Sequence, residues 1–274
     1  VTLSLGQSAR FYAGTYALTE AAAEDSRVSI AAPYLRLAGA TRIGPEHYEM
    51  PSFHWGDGIS QAPTNALFSV EADMIDVRDR VGFGARTVDQ SIGEILDRRG
   101  FAQIDLTSRG DFRMLAGTPG RGLPTNATTE LSSSGDVTLA AAQIYPATGV
   151  GGRIVSGYQG EGEAFRAGST LTIRRYDDNI AEMPYSAFGM LALGAETINQ
   201  GGVVRAPLGS IFFMGPEDAP SSVRFLAGSV TSISGQGLVM PYGGTTDGIK
   251  YLYGGQEIRT TGVGGRAWAS VMHS

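Results

Sequence analysis

The chain has 274 residues, of which 39 are glycine and none is cysteine, and its formal net charge at pH 7 is -6. Glycine is therefore about twice as frequent as usual while charged residues make up only 18 %, a composition that excludes a coiled coil and an ordinary helical bundle. With 42 % hydrophobic residues and so low a net charge, the chain is too apolar for intrinsic disorder and can form a sizeable core.

The basic residues argue against nucleic acid and anionic membrane surfaces as partners. Lys250 is the only lysine, and no Lys-rich run is present that could neutralise phosphates. No stretch approaches the roughly 18 apolar residues of a membrane-spanning helix. The first residues, VTLSLGQSARF, include neither an initiator Met nor a signal peptide, so we interpret 1–274 as a single segment of a longer chain. The absence of cysteine suits the cytosol and also exported bacterial proteins.

Short alternating runs of β-forming residues recur along the chain, each bounded by Gly, Ser, Asp or Pro, and they predict an all-β protein. The runs lie at 1–5, 28–39, 67–84, 101–117, 134–146, 169–176, 188–215 and 223–240. Residues 88–98 differ, because apolar residues at helical spacing follow a capping-box pair, Thr87 and Gln90; they predict one short helix. Segments 44–65 and 117–133 are rich in turn-forming residues and predict loop excursions.

A turn followed by a strand returns along the chain. Gly110-Asp111 and Gly135-Asp136 are 25 residues apart, and Gly168, Gly209 and Gly228 precede similar strands. Imperfect repeats of about 20–30 residues are typical of a solenoid, and for an all-β chain they favour a parallel β-helix. We expect the two Gly-Asp pairs to occupy the same corner of successive coils.

Four segments resemble a known family. They are AETINQGGVVRAPLGSIFFMG (195–215), VRFLAGSVTSISGQGLVMPYGGTTDGIKYLYGGQ (223–256), GFAQIDLTSRGDFRML (100–115) and GDVTLAAAQIYPATG (135–149). The first two closely resemble the C-terminal region of filamentous-haemagglutinin-family exoproteins, the secreted partners of two-partner secretion systems. The other two resemble earlier parts of the same family.

The resemblance implies a right-handed parallel β-helix that forms part of a long shaft. It also implies export through a cognate outer-membrane transporter, followed by display on the bacterial surface or release as an adhesin. The family provides no catalytic or cofactor residues to transfer, and Gly201, Gly202, Pro207 and Gly209 correspond to structural corners only. We expect a positive φ at Gly201 or Gly202.

Arg109-Gly110-Asp111 spells the tripeptide that integrins recognise at an exposed loop tip. Because Gly135-Asp136 repeats the Gly-Asp pair without the arginine, we interpret the pair as a corner of the coil. Receptor binding by the tripeptide is the alternative.

Four carboxylates, those of Glu71, Asp73, Asp76 and Asp79, crowd one strand and could resemble the carboxylates of β-helical polysaccharide lyases. Arginines are interleaved with them, at 78 and 80, which favours a solvated, ion-paired face over a catalytic groove.

The sequence contains no metal or nucleotide motif. His47 and His54 stand seven residues apart in a Pro/Gly-rich loop, which matches no metal-ligand spacing. Gly160-Glu161-Gly162 lacks the third glycine of a dinucleotide motif, because Phe165 takes its place. We therefore expect neither metal nor cofactor.

Several aromatic residues cluster near the end of the chain: Tyr242, Tyr251, Tyr253 and Trp268. An exposed row of such rings could stack on sugars, although packing between coils is the commoner role. These tyrosines are candidate glycan-binding residues.

Three functions follow as expectations. The first is a structural and adhesive segment of a secreted surface protein that binds glycans or host receptors without turnover. The second is a polysaccharide lyase or hydrolase in which carboxylates of adjacent coils line a groove. The third is a filament subunit, since the ends of a solenoid carry unpaired strands that invite end-to-end association.

Overall fold

The computed structural model describes residues 1–12, 15–16, 25–39, 64–89, 94–98, 100–116, 128–158, 165–217, 219–239, 244–246, 250–253 and 256–258. These residues form 24 β-strands and no helix, so the described chain has no helix long and apolar enough to span a bilayer. The strands are β1 (Thr2–Ser4), β2 (Ser8–Tyr12), β3 (Thr15–Tyr16), β4 (Arg27–Ala38), β5 (Leu67–Arg78), β6 (Arg80–Phe83), β7 (Ala85–Asp89), β8 (Glu94–Arg98), β9 (Gln103–Ser108), β10 (Asp111–Leu115), β11 (Thr128–Ser133), β12 (Asp136–Ala141), β13 (Gln143–Pro146), β14 (Gly151–Ser156), β15 (Thr170–Arg175), β16 (Met190–Gly194), β17 (Thr197–Gly201), β18 (Val203–Arg205), β19 (Ser210–Met214), β20 (Ser222–Phe225), β21 (Val230–Ser232), β22 (Gly244–Thr246), β23 (Lys250–Tyr253) and β24 (Gln256–Ile258).

Most of these strands stack as a parallel β-helix with three faces, which confirms the predicted fold class. The first face is β1-β4-β5-β9-β12-β15-β17-β20, the second is β2-β4-β5-β10-β13-β18-β21, and the third is β3-β6-β11-β14-β16-β19. β4 and β5 run through two faces: 27–32 pair with 67–72 on the first, and 34–38 pair with 74–78 on the second. Every pairing within the three faces is parallel.

The core consists of inward side chains that stack in register from coil to coil. One first-face column contains Leu3, Ile30, Val70, Leu106, Leu139, Ile173, Gln200 and Phe225. The aliphatic members between Ile30 and Ile173 are buried. Burial of one such side chain contributes about 1.5–3 kcal/mol, so these columns are the main source of stability.

The corners between strands repeat one turn. In five places the N–H of the fourth residue donates to the carbonyl of the first, and the third residue has a positive φ. The turns span 147–150, 166–169, 206–209, 226–229 and 235–238. The third residue is glycine in four of them and Leu208, with φ 53°, in the other. These corners account for part of the high glycine content.

One coil lacks a strand on the second face. β15 is followed by residues 176–189, which lead to β16 on the third face, so β13 pairs directly with β18 through Ile144 and Val204. The second face is therefore one strand shorter than the first among the described residues.

The short helix predicted for residues 88–98 is wrong. β7 and β8 form an antiparallel hairpin there, with Val88 opposite Ile95. Two helical turns are marginal without tertiary support, and the apolar residues that produced the helical spacing, most of them β-branched, fit a strand equally well.

The predicted loop at 117–133 is wrong in its last part, because Thr128–Ser133 is β11, in which Leu131 is fully buried. Its remainder, like 44–63, lies outside the described residues. Near the C-terminus, β22, β23 and β24 pair antiparallel, unlike the coils that precede them.

Candidate functional site

The outer surface of the second face carries a column of polar side chains. Arg10, Arg36, Asp76, Arg113 and Tyr145 stand in register on five successive strands. Parallel strands are about 4.8 Å apart, so each member of the column lies beside the next. The sequence does not show this arrangement, because neighbouring members of the column belong to different coils and are far apart along the chain.

Asp76 organises the centre of this column. Its Oδ1 accepts a hydrogen bond from Nε of Arg113 at 2.7 Å, and its Oδ2 accepts from Nη2 of the same guanidinium at 2.9 Å. The Tyr34 hydroxyl donates to Oδ2 at 2.7 Å. Asp76 is only 1 % exposed, although it lies on the outer side of the sheet. The bidentate, charge-assisted geometry fixes Arg113 and Tyr34 in place.

These contacts change the acidity of both partners. Burial, together with the hydrogen bond to Asp76, raises the pKa of Tyr34 to about 12. The hydrogen bonds to Asp76 raise the pKa of Arg113 further above its ordinary range. Tyr34 therefore stays neutral and Arg113 stays charged at any physiological pH.

A second network adjoins the first on the C-terminal side. Asp111 accepts hydrogen bonds from the Tyr145 hydroxyl at 2.7 Å and from Nε2 of Gln143 at 3.1 Å. Nη1 of Arg205 donates to Oε1 of Gln143 at 3.2 Å and to the carbonyls of Ala181 and Glu182 at 3.1 and 3.0 Å. Burial and the neighbouring Asp111 raise the pKa of Tyr145, while burial lowers the pKa of Arg205.

Four arginines of the second face, Arg10, Arg36, Arg78 and Arg113, form what we call the arginine cluster. The guanidinium of Arg10 lies 6.0 Å from the centre of the Tyr34 ring, at the outer limit of a cation–π contact. Asp76 lies among them and is 1 % exposed.

The Arg109-Gly110-Asp111 tripeptide lies at the bend between β9 and β10. Arg109 forms ion pairs with Glu71 at 2.6 Å and Asp73 at 2.9 Å. The Gly110 N–H donates to the carbonyl of Asp73 at 2.8 Å, and both oxygens of Asp111 accept hydrogen bonds as described above. The tripeptide is a corner of the coil, as expected, and the geometry does not favour its presentation to an integrin.

Gly135-Asp136 does not occupy the same corner, contrary to the expectation from the repeat. Gly135 stands between β11 and β12, at the turn from the third face to the first. The position that stacks on Gly110 in the next coil is Ala142, whose N–H donates to the Gly110 carbonyl. The spacing of 25 residues therefore does not measure one coil; the stacked residues Leu106 and Leu139 are 33 apart.

The carboxylates of β5 divide between two environments. Glu71 and Asp73 are exposed and paired with Arg109, as predicted for a solvated face. Asp76 contradicts that prediction because it is paired but buried. Asp79 follows the strand with φ 62°. The alternation of apolar and polar residues along β5 could not show that Tyr34 and Arg113, from neighbouring coils, cover Asp76.

Gly202, Pro207 and Gly209 lie at corners as predicted, whereas Gly201 is the last residue of β17. Gly202 separates β17 from β18, and Pro207 and Gly209 belong to the turn before β19. The expected positive φ at Gly201 or Gly202 is wrong; in the second corner Leu208 adopts it. A Cβ at Gly202 would lie 2.8 Å from Cγ2 of Ile173, so the close approach of the preceding coil favours glycine there.

Other predicted residues lie largely beyond the described structure. Tyr251 and Tyr253 belong to β23, but their side chains, like Tyr242, Trp268, His47 and His54, are outside the described part. Within the described part, no group of His, Cys, Asp and Glu side chains could hold a metal ion.

Sequence reasoning did not single out Tyr34, Arg36, Arg113 or Tyr145, and it matched Arg205 to the family only as a structural position. Arg36 in YLRLA (34–38) and Arg113 in DFRML (111–115) each stand between two apolar residues, which indicates that their side chains point outward. Nothing in either segment indicates that the two strands flank the same aspartate. That relationship required the register of the coils.

No protein-family model, curated protein or solved structure matches this chain. The resemblance to filamentous-haemagglutinin exoproteins therefore stays a prediction.

Proposed function

We propose that the chain is a segment of a long, exported bacterial surface protein whose role is attachment, as in the filamentous-haemagglutinin exoproteins. In this proposal a cognate outer-membrane transporter exports the chain, and the coils serve as a rigid shaft that presents side chains to glycans or host receptors. No chemical turnover is involved.

The observation that carries the proposal is the continuous inward column of the first face. It runs from Leu3 to Phe225 through eight strands, and its two end members are 39 % and 59 % exposed. Aliphatic and aromatic side chains in such a column are normally buried by the next coil. Eight parallel strands stacked in one register fit a rigid shaft that holds its outward side chains at fixed spacings.

The test is an attachment assay. Fluorescent beads coated with the 274-residue chain should be retained under flow on epithelial monolayers, and beads coated with albumin should wash away. If the chain retains no beads on any cell or mineral surface, the attachment role is wrong. Incubation with a panel of polysaccharides should release no reducing ends or unsaturated uronates; release that Asp76→Asn abolishes would favour the lyase or hydrolase alternative.

End-to-end association is a second candidate, favoured by the same column. Because Leu3 and Phe225 belong to one register, the first coil of one copy could continue the last coil of another. Filament formation predicts a sedimentation coefficient that rises with protein concentration and that Phe225→Lys lowers. Concentration-independent sedimentation of the parent chain would exclude it.

A further inference from the structure

Residues 176–185 form a loop in the coil that lacks a second-face strand, and we call them the second-face loop. They follow β15 and read YDDNIAEMPY. Ile180 and Tyr185 are 81 % and 73 % exposed, and among the described residues only Val1, the first residue, has an apolar side chain as exposed as these. A loop that a rigid scaffold holds in place is a common location for binding residues.

Arg205 of β18 fixes the middle of the second-face loop. Its Nη1 donates to the carbonyls of Ala181 at 3.1 Å and of Glu182 at 3.0 Å, and Oε1 of Gln143 is the third acceptor. All three acceptors are uncharged, and burial lowers the pKa of Arg205. The half-buried guanidinium thus holds backbone carbonyls through charge-assisted hydrogen bonds, which give the loop a defined conformation.

The end of the second-face loop is fixed on both sides of Tyr185. Pro184 and Ser186 are buried, and Oγ of Ser186 donates to the carbonyl of Pro146 at 2.5 Å. The Tyr185 ring therefore projects into solvent from a backbone that is anchored before and after it. A side chain that is held in position before contact loses less conformational entropy when it binds.

The second-face loop is also acidic. Asp177, Asp178 and Glu182 are exposed, and the loop contains no basic residue. Asp177 accepts hydrogen bonds from Asn179, while Asp178 and Glu182 form no ion pair with any described residue, including the two arginines at 174–175 on β15. Carboxylates in this state attract a partner whose contact surface is basic.

The combination of protruding apolar side chains and carboxylates without cations favours a protein over a glycan. An apolar pocket would bury Ile180, whereas an aliphatic side chain gains little from the hydroxyls of a sugar. We propose that the second-face loop docks onto a protein of the target surface, with Ile180 and Tyr185 in an apolar pocket and basic side chains at the rim of that pocket. This inference rests on the proposed attachment role and names its partner class.

The experiment counts the beads, coated with the 274-residue chain, that an epithelial monolayer retains under flow. Ile180→Ser with Tyr185→Ser removes both apolar side chains and, because they are exposed, should leave the fold intact, which circular dichroism checks. The matched control is Ile233→Ser with Val239→Ser, at positions that are 53 % and 62 % exposed. We expect about tenfold fewer retained beads for the first double variant and a change of less than about twofold for the control.

A second variant tests the carboxylates without changing an apolar residue. Asp178→Asn with Glu182→Gln should lower retention by about threefold at low salt. Added salt should then reduce the retention of the parent chain more than that of this variant, because salt screens exposed charges. Unchanged retention of the variant would contradict the basic rim and, with it, the proposed partner.

Treatment of the monolayer distinguishes the classes of partner and uses the parent chain alone, so a folding defect cannot affect the result. Brief protease treatment should abolish retention, and mild periodate oxidation of surface glycans should leave it unchanged. Equal retention of the two apolar double variants, loss of retention with periodate, or retention on mineral surfaces only would overturn this inference but not the attachment role. A parent chain that retains no beads on any surface would overturn both.

Discussion

Arg113 and Asp76 form a bidentate ion pair on the outer side of the second face, although the two residues come from different coils. The two hydrogen bonds measure 2.7 and 2.9 Å, and Tyr34 from a third strand completes the environment of the carboxylate. The pair therefore joins three successive coils through side chains. It adds to the backbone ladder, which holds every coil to its neighbours in a solenoid.

Removing the carboxylate of Asp76 should destabilise the protein. Asp76→Ala leaves a half-buried guanidinium and a phenol without their shared acceptor, and we expect the free energy of unfolding to fall by about 2 kcal/mol. The matched control is Glu71→Ala, which breaks an exposed ion pair and should have little effect. Urea unfolding followed by circular dichroism measures both. Equal effects would show that burial of Asp76 has no energetic consequence.

Alkaline pH should destabilise the fold through Tyr34. The pKa of Tyr34 is about 12 in the folded chain and about 10 when unfolded, so between these values the unfolded state releases a proton that the folded state retains. Stability should therefore be fully present below pH ~10 and decline as the pH rises toward ~12. Tyr34→Phe should be less stable at pH 8 but decline less steeply. Urea titrations at several pH values test this, and parallel curves for parent and variant would contradict it.

Leu208 occupies a backbone conformation that disfavours it. Leu208 is the third residue of the 206–209 turn and has a φ of 53°. The other four turns of this kind have glycine at the third position. A non-glycine residue there costs about 1–2 kcal/mol, and asparagine tolerates the conformation better than leucine. Leu208→Asn should raise the free energy of unfolding by about 0.5 kcal/mol, after the loss of some side-chain packing.

A glycine at the same position of another turn of this kind provides the control. Gly168 has φ 73° and no neighbouring atom within 4 Å of an added Cβ, so Gly168→Ala should lower stability through backbone strain alone, by about 1 kcal/mol. Thermal unfolding of both variants decides the matter. A Leu208→Asn protein that melts below the parent would mean that leucine packing outweighs the strain.

Gly202→Val should loosen one coil without unfolding the others. The added side chain would collide with Ile173 and with the backbone of Arg174, at 2.8 and 3.1 Å from the Cβ. Because each coil is supported only by its neighbours, new protease cleavage should appear within 195–215 while 1–100 stays protected. Gly6→Val is the control, since a Cβ there meets nothing. Cleavage spread evenly over the chain would argue against local fraying.

The sequence by itself determined the strand content and the inward positions. Leu171 and Ile173 alternate with threonines, and the structure buries both, because a strand presents successive side chains to opposite sides. The sequence also predicted turns before strands, and Gly168 and Gly228 lie in such turns with a positive φ. The sequence did not predict the antiparallel pair β7–β8, because the spacing of apolar residues over so short a segment fits a helix and a strand alike.

Only the tertiary structure decided which strands are neighbours. The number of residues in a coil varies because segments of different length connect the strands. The spacing of the Gly-Asp pairs in the sequence therefore could not show that Ala142, and not Gly135, stacks on Gly110. Nor could it show that β15 leads to β16 without a second-face strand. The Arg113–Asp76–Tyr34 cluster follows from that register. A ladder position is set by hydrogen bonds between coils, and a single chain segment carries no information about its partner across the sheet.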